Sequence, residues 1–431
     1  MDKFVVRGGN PLLGTIKISG AKNSALPCMA AAILTEDELI LENIPQVRDI
    51  ETERRLLAAM GAVVDLGYGR AQHRTSIKCA VLSDPIAKYE IVKTMRASSL
   101  VLGPLIARTG IARVAMPGGC AIGGRPIDLH IKGLEAMGAT ITQDHGYLEA
   151  RSPNGGKSPL QGAHIVFDKI TVTGTEDLLM AATLADGETL FENCAREPEV
   201  TDLAALLTAM GAKIEGAGTS TIRVTGVATL HGARHRINPD RIEAGTFLMA
   251  GAITGGDLNV DRCDPTHLSA LIAKLEECGV RIEIGKENVR VRSGGSLKAS
   301  DISTEEYPGF PTDMQAQYMA LATQADGATT VTENIFENRF MHVGELNRMG
   351  ANITVQGRTA TVRGKTPLES AAVMCSDLRA SASLVLAALV ADGETILDRV
   401  YHLDRGYEHF EEKLRGVGAQ IRRMGDVFGK K

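Results

Sequence analysis

Ala181-Ala182-Thr183-Leu184-Ala185-Asp186-Gly187-Glu188-Thr189 returns almost unchanged as Ala387-Ala388-Leu389-Val390-Ala391-Asp392-Gly393-Glu394-Thr395. Each copy reads as the end of an Ala-rich helix, a short turn and the start of a strand. Looser copies of the turn centre on Glu36-Asp37, Thr109-Gly110, Gly255-Gly256 and Asp326-Gly327, which makes six in all. A second signal interleaves with the first. A helix-like segment ending in Met-Gly-Ala or a close variant recurs at Gly61, Gly138, Gly211, Gly279, Gly350 and Gly418, with spacings of 77, 73, 68, 71 and 68 residues. Glycine is expected there because the residue just past a helix C-terminus often needs φ > 0. Two independent signals sharing one period describe a single unit repeated six times, and six such units account for all 431 residues.

Each unit reads as strand, helix, strand, helix and one or two further strands, so the fold class is α/β (α+β). Period-2 runs such as Ile222-Arg223-Val224-Thr225 and Val289-Arg290-Val291-Arg292 predict strands with one solvent-facing side. The expected grouping is two domains of three units, with a boundary near Ile237-Asn238-Pro239.

Composition narrows the function. Lys and Arg number 47 against 52 Asp and Glu, a net charge of -5, which argues against a nucleic-acid binder. Hydrophobic residues at 44% and charged residues at 23% are ordinary for a globular protein. Aromatics are 4% and Trp is absent, so an aromatic stacking platform is not expected. No run of 18 apolar residues exists, so no membrane insertion is expected. The start, Met1-Asp2-Lys3-Phe4-Val5-Val6-Arg7, lacks the apolar core of a signal peptide. Seven cysteines, an odd number with no CxxC pair, fit free thiols in a reducing cytoplasm.

The chemistry-bearing residues recur in register. The starts of the six Ala-rich helices carry Lys22-Asn23, Arg96, Thr171 to Thr175, Arg241, Asp313, and Asp377 with Arg379. Helix N-termini offer free N–H groups and the positive end of the helix dipole, a natural seat for an anionic ligand. Capping alone accounts for Thr and Asp at such positions, but not for Lys and Arg. A second island is Pro117-Gly118-Gly119-Cys120-Ala121-Ile122-Gly123-Gly124-Arg125-Pro126, a shaped loop carrying one thiol and one guanidinium. A thiol beside Arg and helix N-termini suits proton transfer or nucleophilic chemistry. The other six cysteines sit in helix- or strand-like contexts and are expected to be buried. Arg339, in Asn338-Arg339-Phe340, reads equally as a site residue or as a packing salt bridge. Gly156-Lys157-Ser158 fails as a phosphate loop because Arg151 stands where its first glycine belongs. No HExxH occurs, and no metal ligand set is expected.

Several segments resemble one family closely. They are Ser19-Gly20-Ala21-Lys22-Asn23, Lys93-Thr94-Met95-Arg96-Ala97-Ser98, Pro117-Gly118-Gly119-Cys120 with Arg125-Pro126, Asp128-Leu129-His130, and Ala195-Arg196-Glu197-Pro198-Glu199. Further on come Pro239-Asp240-Arg241-Ile242-Glu243, Phe310-Pro311-Thr312-Asp313-Met314-Gln315, Asn338-Arg339-Phe340, Asp377-Leu378-Arg379-Ala380-Ser381 and Asp404-Arg405-Gly406-Tyr407-Glu408. Together they resemble the UDP-N-acetylglucosamine 1-carboxyvinyltransferase family of enolpyruvyl transferases, in order through essentially the whole chain.

The resemblance implies a two-domain inside-out α/β barrel of six βαβαββ repeats, three per domain. It implies domains at 22–238 and at 1–21 plus 239–431, with the active site in the interdomain cleft. The implied reaction moves the enolpyruvyl group of phosphoenolpyruvate to the 3′-hydroxyl of UDP-N-acetylglucosamine and releases phosphate, at the start of peptidoglycan precursor synthesis. Cys120 is then the proton donor on a lid and the target of the epoxide antibiotic fosfomycin. Asp313 is the base for the sugar hydroxyl, and Asn23 orients both substrates. Lys22, Arg125 and Arg405 hold phosphoenolpyruvate. Arg96, the run Arg125, Pro126, Ile127, Asp128 and Leu129, then Lys169, Thr171, Val172, Asp313 and Ile335 contact the UDP-sugar. Arg241, Arg339, Asp377 and Arg379 support them. Lys169-Ile170-Thr171-Val172-Thr173-Gly174 departs from the family's Ser-Val-Gly but keeps hydroxyl and backbone donors. The two small molecules are the expected partners, and no cofactor or metal is implied. Two rivals stand beside this reading: a transferase acting on shikimate 3-phosphate, and a non-catalytic UDP-sugar-binding paralogue.

Overall fold

The computed structural model describes residues 2–67, 73–116, 127–292 and 295–425. Six central helices set the architecture. They are α1 (Lys22–Ala30), α2 (Leu102–Thr109), α3 (Val172–Ala182), α4 (Arg241–Ile253), α5 (Gln315–Ala322) and α6 (Leu378–Ala388). Their sequences are rich in Ala, Leu, Met and Gly on every side. A helix that is apolar all round must be buried all round. Every residue of α5 and of α6 is buried, as is every residue of α4 after Arg241. A short 3₁₀ turn leads into α2 at Arg96–Val101 and into α5 at Thr312–Met314.

Strands surround these helices in six sheets, and each sheet is one repeat. Residues 164–166 run parallel to 188–192, which pairs antiparallel with 221–225, which pairs antiparallel with 213–215. The other five sheets also run from a parallel edge pair through two antiparallel pairs, and Ala325–Thr332 takes a second parallel partner, Ile302–Ser303. Alternation supplies the inner face: Thr221–Thr225 buries Ile222 and Val224 and exposes Thr221, Arg223 and Thr225. The six capping glycines all take the left-handed conformation their position requires, with φ between 82° and 107°. The expected α/β architecture is present, with its strands in six separate sheets rather than one continuous wall.

The chain divides into two compact units. One comprises the described residues of 2–19 and 239–425, the other those of 20–116 and 127–238. Each has its own apolar core. In the first, the N-terminal strand Lys3–Arg7 lies between Glu394–Asp398 and Gln420–Met424, so the two chain ends complete one sheet. In the second, Arg234–Arg236 runs parallel to Glu38–Glu42 and completes that strand's sheet.

The two passages between the units are anchored alike. In the first unit the Ser19 N–H donates to Glu243 at 2.8 Å, and Lys413 holds the other Glu243 oxygen at 2.6 Å. In the second the Asn238 N–H donates to Asp202 at 3.0 Å, while His235 Nε2 lies 2.8 Å from the other Asp202 oxygen. Of these four anchors the two carboxylates, Glu243 and Asp202, are buried, and Lys413 and His235 are half-buried.

Candidate active site

All six positions singled out from the repeats open a central helix or the 3₁₀ turn before it. Lys22 and Arg241 are first residues, Arg96 opens its turn, and Thr171 and Asp377 are N-caps. The Thr171 hydroxyl accepts from the Gly174 N–H at 3.2 Å, and Asp377 accepts from the N–H groups of Arg379 and Ala380. Capping thus accounts for Thr171 and Asp377. It does not account for Asp313, whose side chain caps nothing.

In the unit of residues 20–238, Lys22 is tied to Asp49. Its ammonium lies 3.1 Å from the carboxylate, with side-chain exposures of 12% and 5%. One helical turn on from Asp49, Glu53 is fully buried with no hydrogen-bond partner among the described residues. Burial, then the charge of Asp49, pushes its carboxyl up to about 8. Asn23 is exposed beside Lys22. His130 is buried, and burial together with the charge of Arg96 lowers it to about 4, so it is a neutral imidazole. Ile127 is buried, Asp128 is the exposed first residue of the helix Asp128–Ala136, and Leu129 packs on the core. Lys169 is exposed, and Val172 packs half-buried on the same core. Cys120, Arg125 and Pro126 lie outside the described residues.

In the other unit Asp313 sits between two guanidinium groups. Asp313 Oδ1 accepts from Arg339 Nη2 at 2.6 Å. Its Oδ2 accepts from Arg379 Nε at 3.1 Å and Nη2 at 2.8 Å. Burial alone would push this carboxyl up, but Arg379 and Arg339 outweigh it and hold it well below the usual carboxylate range. Three of about four lone-pair positions on the carboxylate are filled, leaving one on the Arg339 side for a further donor. Arg339, left open between two readings by the sequence, is therefore a buried partner of Asp313. The Arg379 guanidinium stacks over Tyr407 at 5.4 Å, and Arg241 over Tyr307 at 5.5 Å. Arg405 ends the 3₁₀ segment Val400–Arg405, whose Asp404 is gripped by Arg423 at 2.6 and 3.0 Å. The Ile335 N–H donates to Glu333 at 2.9 Å.

Nothing local in the sequence marks Asp49, Glu53 or Glu333, because ordinary acidic residues in helices and strand ends carry no local signature. Nor does anything local mark the grouping of Cys28, Asp202 and His235, whose ligand-type atoms lie within 4.8 Å of one another. Both oxygens of that Asp202 already hold His235 and the Asn238 N–H, so the arrangement is complete as a hydrogen-bonded anchor.

Comparison with known proteins sets this geometry in a family. Residues 6–414 match the family described as EPSP synthase (3-phosphoshikimate 1-carboxyvinyltransferase). A relative from Acidobacterium capsulatum named UDP-N-acetylglucosamine 1-carboxyvinyltransferase is 79% identical, covering 100% of this chain and 98% of its own. Relatives of the same name from Koribacter versatilis and Solibacter usitatus are 73% and 63% identical, covering 100% and 98% of this chain and 98% and 100% of their own. Among solved structures, the enolpyruvyl transferase NikO from Streptomyces tendae superposes with a TM-score of 0.87 at 24% identity, over 98% of this chain and 99% of its own. EPSP synthase from Acinetobacter baumannii does so with 0.73 at 19%, over 99% and 100%. These two similarities show the fold. The family match and the full-length identities of 63–79% show more: the chain belongs to the EPSP synthase family of enolpyruvyl transferases, and within it to the UDP-N-acetylglucosamine 1-carboxyvinyltransferases.

Proposed function

We propose that this protein transfers the enolpyruvyl group of phosphoenolpyruvate to the 3′-hydroxyl of UDP-N-acetylglucosamine and releases phosphate. The product would feed peptidoglycan precursor synthesis in the cytoplasm. The observation that carries the acceptor is the 79% full-length identity to a relative named for it. No helix among the described residues is long and apolar enough to cross a membrane, in keeping with two water-borne substrates.

The step is an addition followed by an elimination. The 3′-oxygen bonds to C2 of phosphoenolpyruvate while C3 gains a proton, giving a tetrahedral intermediate. Loss of a C3 proton and of phosphate restores the double bond on the sugar ether. The proton donor to C3 is Cys120, since a thiol of ordinary pKa, ~8.5, is protonated at neutral pH and still donates. Asp313 accepts the hydroxyl proton through its remaining lone pair. Because two guanidiniums hold that carboxylate charged, it is always available as an acceptor but is a weak base. Its contribution is therefore largest in orienting the hydroxyl and stabilising the positive charge that develops there.

Lys22, Arg125 and Arg405 bind the phosphate and carboxylate of phosphoenolpyruvate, the arginines through paired hydrogen bonds and the lysine as a point charge. Asn23 orients both substrates. Arg96, Pro126, Ile127, Asp128, Leu129, Lys169, Thr171, Val172 and Ile335 contact the UDP-sugar. The free N–H groups at the start of α3 suit its diphosphate. Arg241, Arg339, Asp377 and Arg379 support these groups.

Phosphate release from phosphoenolpyruvate tests the proposal. Release that requires UDP-N-acetylglucosamine is the expected result. Release with shikimate 3-phosphate alone would move the assignment to the other acceptor, and binding of UDP-sugar without release would make the protein a non-catalytic paralogue.

A further inference from the structure

Glu333 follows the strand Ala325–Thr332 and is completely buried. Four donors converge on it. Its Oε1 accepts from the Thr304 hydroxyl at 2.9 Å and from the N–H groups of Ile335 at 2.9 Å and Phe336 at 3.0 Å. Its Oε2 accepts from the Thr312 hydroxyl at 2.9 Å. A carboxylate only accepts, so the Thr312 hydrogen is committed to Glu333. The Thr312 oxygen is thereby turned as an acceptor toward Arg339, whose Nη1 donates to it at 2.8 Å. The other end of the same planar guanidinium, Nη2, donates to Asp313 at 2.6 Å. Phe336, whose backbone Glu333 holds, lies under the Arg339 guanidinium at 5.0 Å.

We propose that Glu333 is the positioning residue that sets Arg339 against Asp313, acting through the Thr312 hydroxyl. The inference rests on the proposed role of Asp313 in the transferase reaction. Glu333 itself touches no substrate in this scheme. It settles the direction of one hydroxyl, and that hydroxyl settles the plane of the guanidinium. It also holds the backbone of Ile335, the residue proposed to contact the sugar, so one buried group orders two parts of the acceptor's surroundings.

The chain of bonds makes a directional claim. The charged groups facing Asp313 are Arg339 and Arg379, with Tyr407 and Asp240 beyond Arg379. If Arg339 turns away, one of the two cations that hold the Asp313 carboxyl down is weakened, and its titration moves up in pH. General loosening would raise it too by weakening both guanidinium contacts, so the shift is read in variants of unchanged unfolding midpoint and must be reversed by Thr312→Ser.

The test uses the full chain carrying Glu333→Gln, Thr312→Val, Thr312→Ser or the first two together. Two quantities are read: kcat/KM for UDP-N-acetylglucosamine as a function of pH, and the carboxyl ¹³C titration of Asp313, identified by its loss in Asp313→Asn. Glu333→Gln and Thr312→Val should each lower kcat/KM by roughly 10–100-fold, the scale of a misplaced reacting group, and both should raise the Asp313 titration. Thr312→Ser keeps the hydroxyl and should restore both. The double variant should be no worse than the poorer single one, because both cut the same chain. An unmoved Asp313 titration in folded Thr312→Val protein, or effects that multiply in the double variant, would overturn the proposal. If Glu333→Gln does not fold, the comparison of Val with Ser at 312 decides. A wild-type protein inactive on both acceptors would remove the transferase assignment, while the carboxyl titration would still answer for the relay.

Discussion

Arg379 closes on Asp313 with two donors on a single oxygen, Nε at 3.1 Å and Nη2 at 2.8 Å, across 66 residues of chain. Its side chain is only 5% exposed. A lysine offers a point charge and cannot reproduce that fork. Arg379→Lys should therefore cost roughly tenfold or more in kcat while the protein stays folded. Arg379→Ala removes a nearly buried guanidinium but leaves Arg339 on the half-buried Asp313, and should destabilise by about 2 kcal/mol. Steady-state kinetics and urea unfolding separate the two. An Arg379→Lys enzyme of wild-type kcat would remove the fork from the catalytic account.

The same pair sets a pH dependence with a definite sign. The folded carboxyl of Asp313 lies well below the unfolded value of ~3.9. Its stabilisation is thus fully present above about pH 4 and is lost only as pH falls through the folded value. The stability gap between wild type and Asp313→Asn should be constant from about pH 5 to 8 and narrow only below about 4. A gap that already narrows at neutral pH would contradict the geometry.

Glu53 carries the opposite sign. Its carboxyl is pushed up to about 8 by burial and by Asp49. Stability from this group is whole below the unfolded value of ~4.3, falls as pH rises toward 8, and is flat beyond. Glu53→Gln removes that loss. The variant should gain on wild type steadily between pH 5 and 8, reaching about 2–4 kcal/mol at the top of the range. Thermal melts at three pH values suffice, and a gain independent of pH would rule out the protonated Glu53.

The thiols give a chemical test. Cys28, Cys79, Cys194, Cys263, Cys278 and Cys375 are all buried and unpaired. Burial raises each of their thiols, Cys79, Cys263 and Cys375 to about 11 and Cys194 to about 12. The thiolate is the reactive form, so these six should be inert in the native protein. An alkylating reagent at pH 8 should label one equivalent, at Cys120, and none in Cys120→Ala. Turnover of that variant should fall roughly 10²–10⁴-fold if the thiol is the sole general acid. A loss below tenfold would end that assignment.

Lys22 and Asp49 give a binding test. The salt bridge holds the ammonium in a restricted position with little exposure. Asp49→Asn leaves the lysine charged but removes its ionic partner, so the head group gains freedom. The KM for phosphoenolpyruvate should rise about tenfold with a smaller change in kcat, the pattern of lost ground-state binding. Equal effects on both substrates would point to general damage instead.

The helix starts were legible because they repeat. Lys22, Arg96, Arg241 and Arg379 stand out as cations where cations are disfavoured; the first three open their helix or turn and Arg379 is the second residue of its helix. Asp313 was legible by the same register and by resemblance. The partners that tune these groups were not. Asp49 and Glu53 look like the solvated acids of any amphipathic helix, yet both are buried. Glu333 resembles the strand-end acids Glu42 and Glu192, whose side chains meet exposed Arg234 and His164, yet it is wholly enclosed.

The sequence by itself determined the six units, their strand and helix order and the turns between them. Periodicity and glycine placement are local properties, and each unit repeats them. Tertiary structure alone decided which carboxyls stay charged and which are held neutral. That outcome depends on burial and on partners distant in the chain, such as Arg339 and Arg379, 26 and 66 residues from Asp313. The charge state of a buried group is a property of its neighbours, and neighbours exist only once the chain has folded.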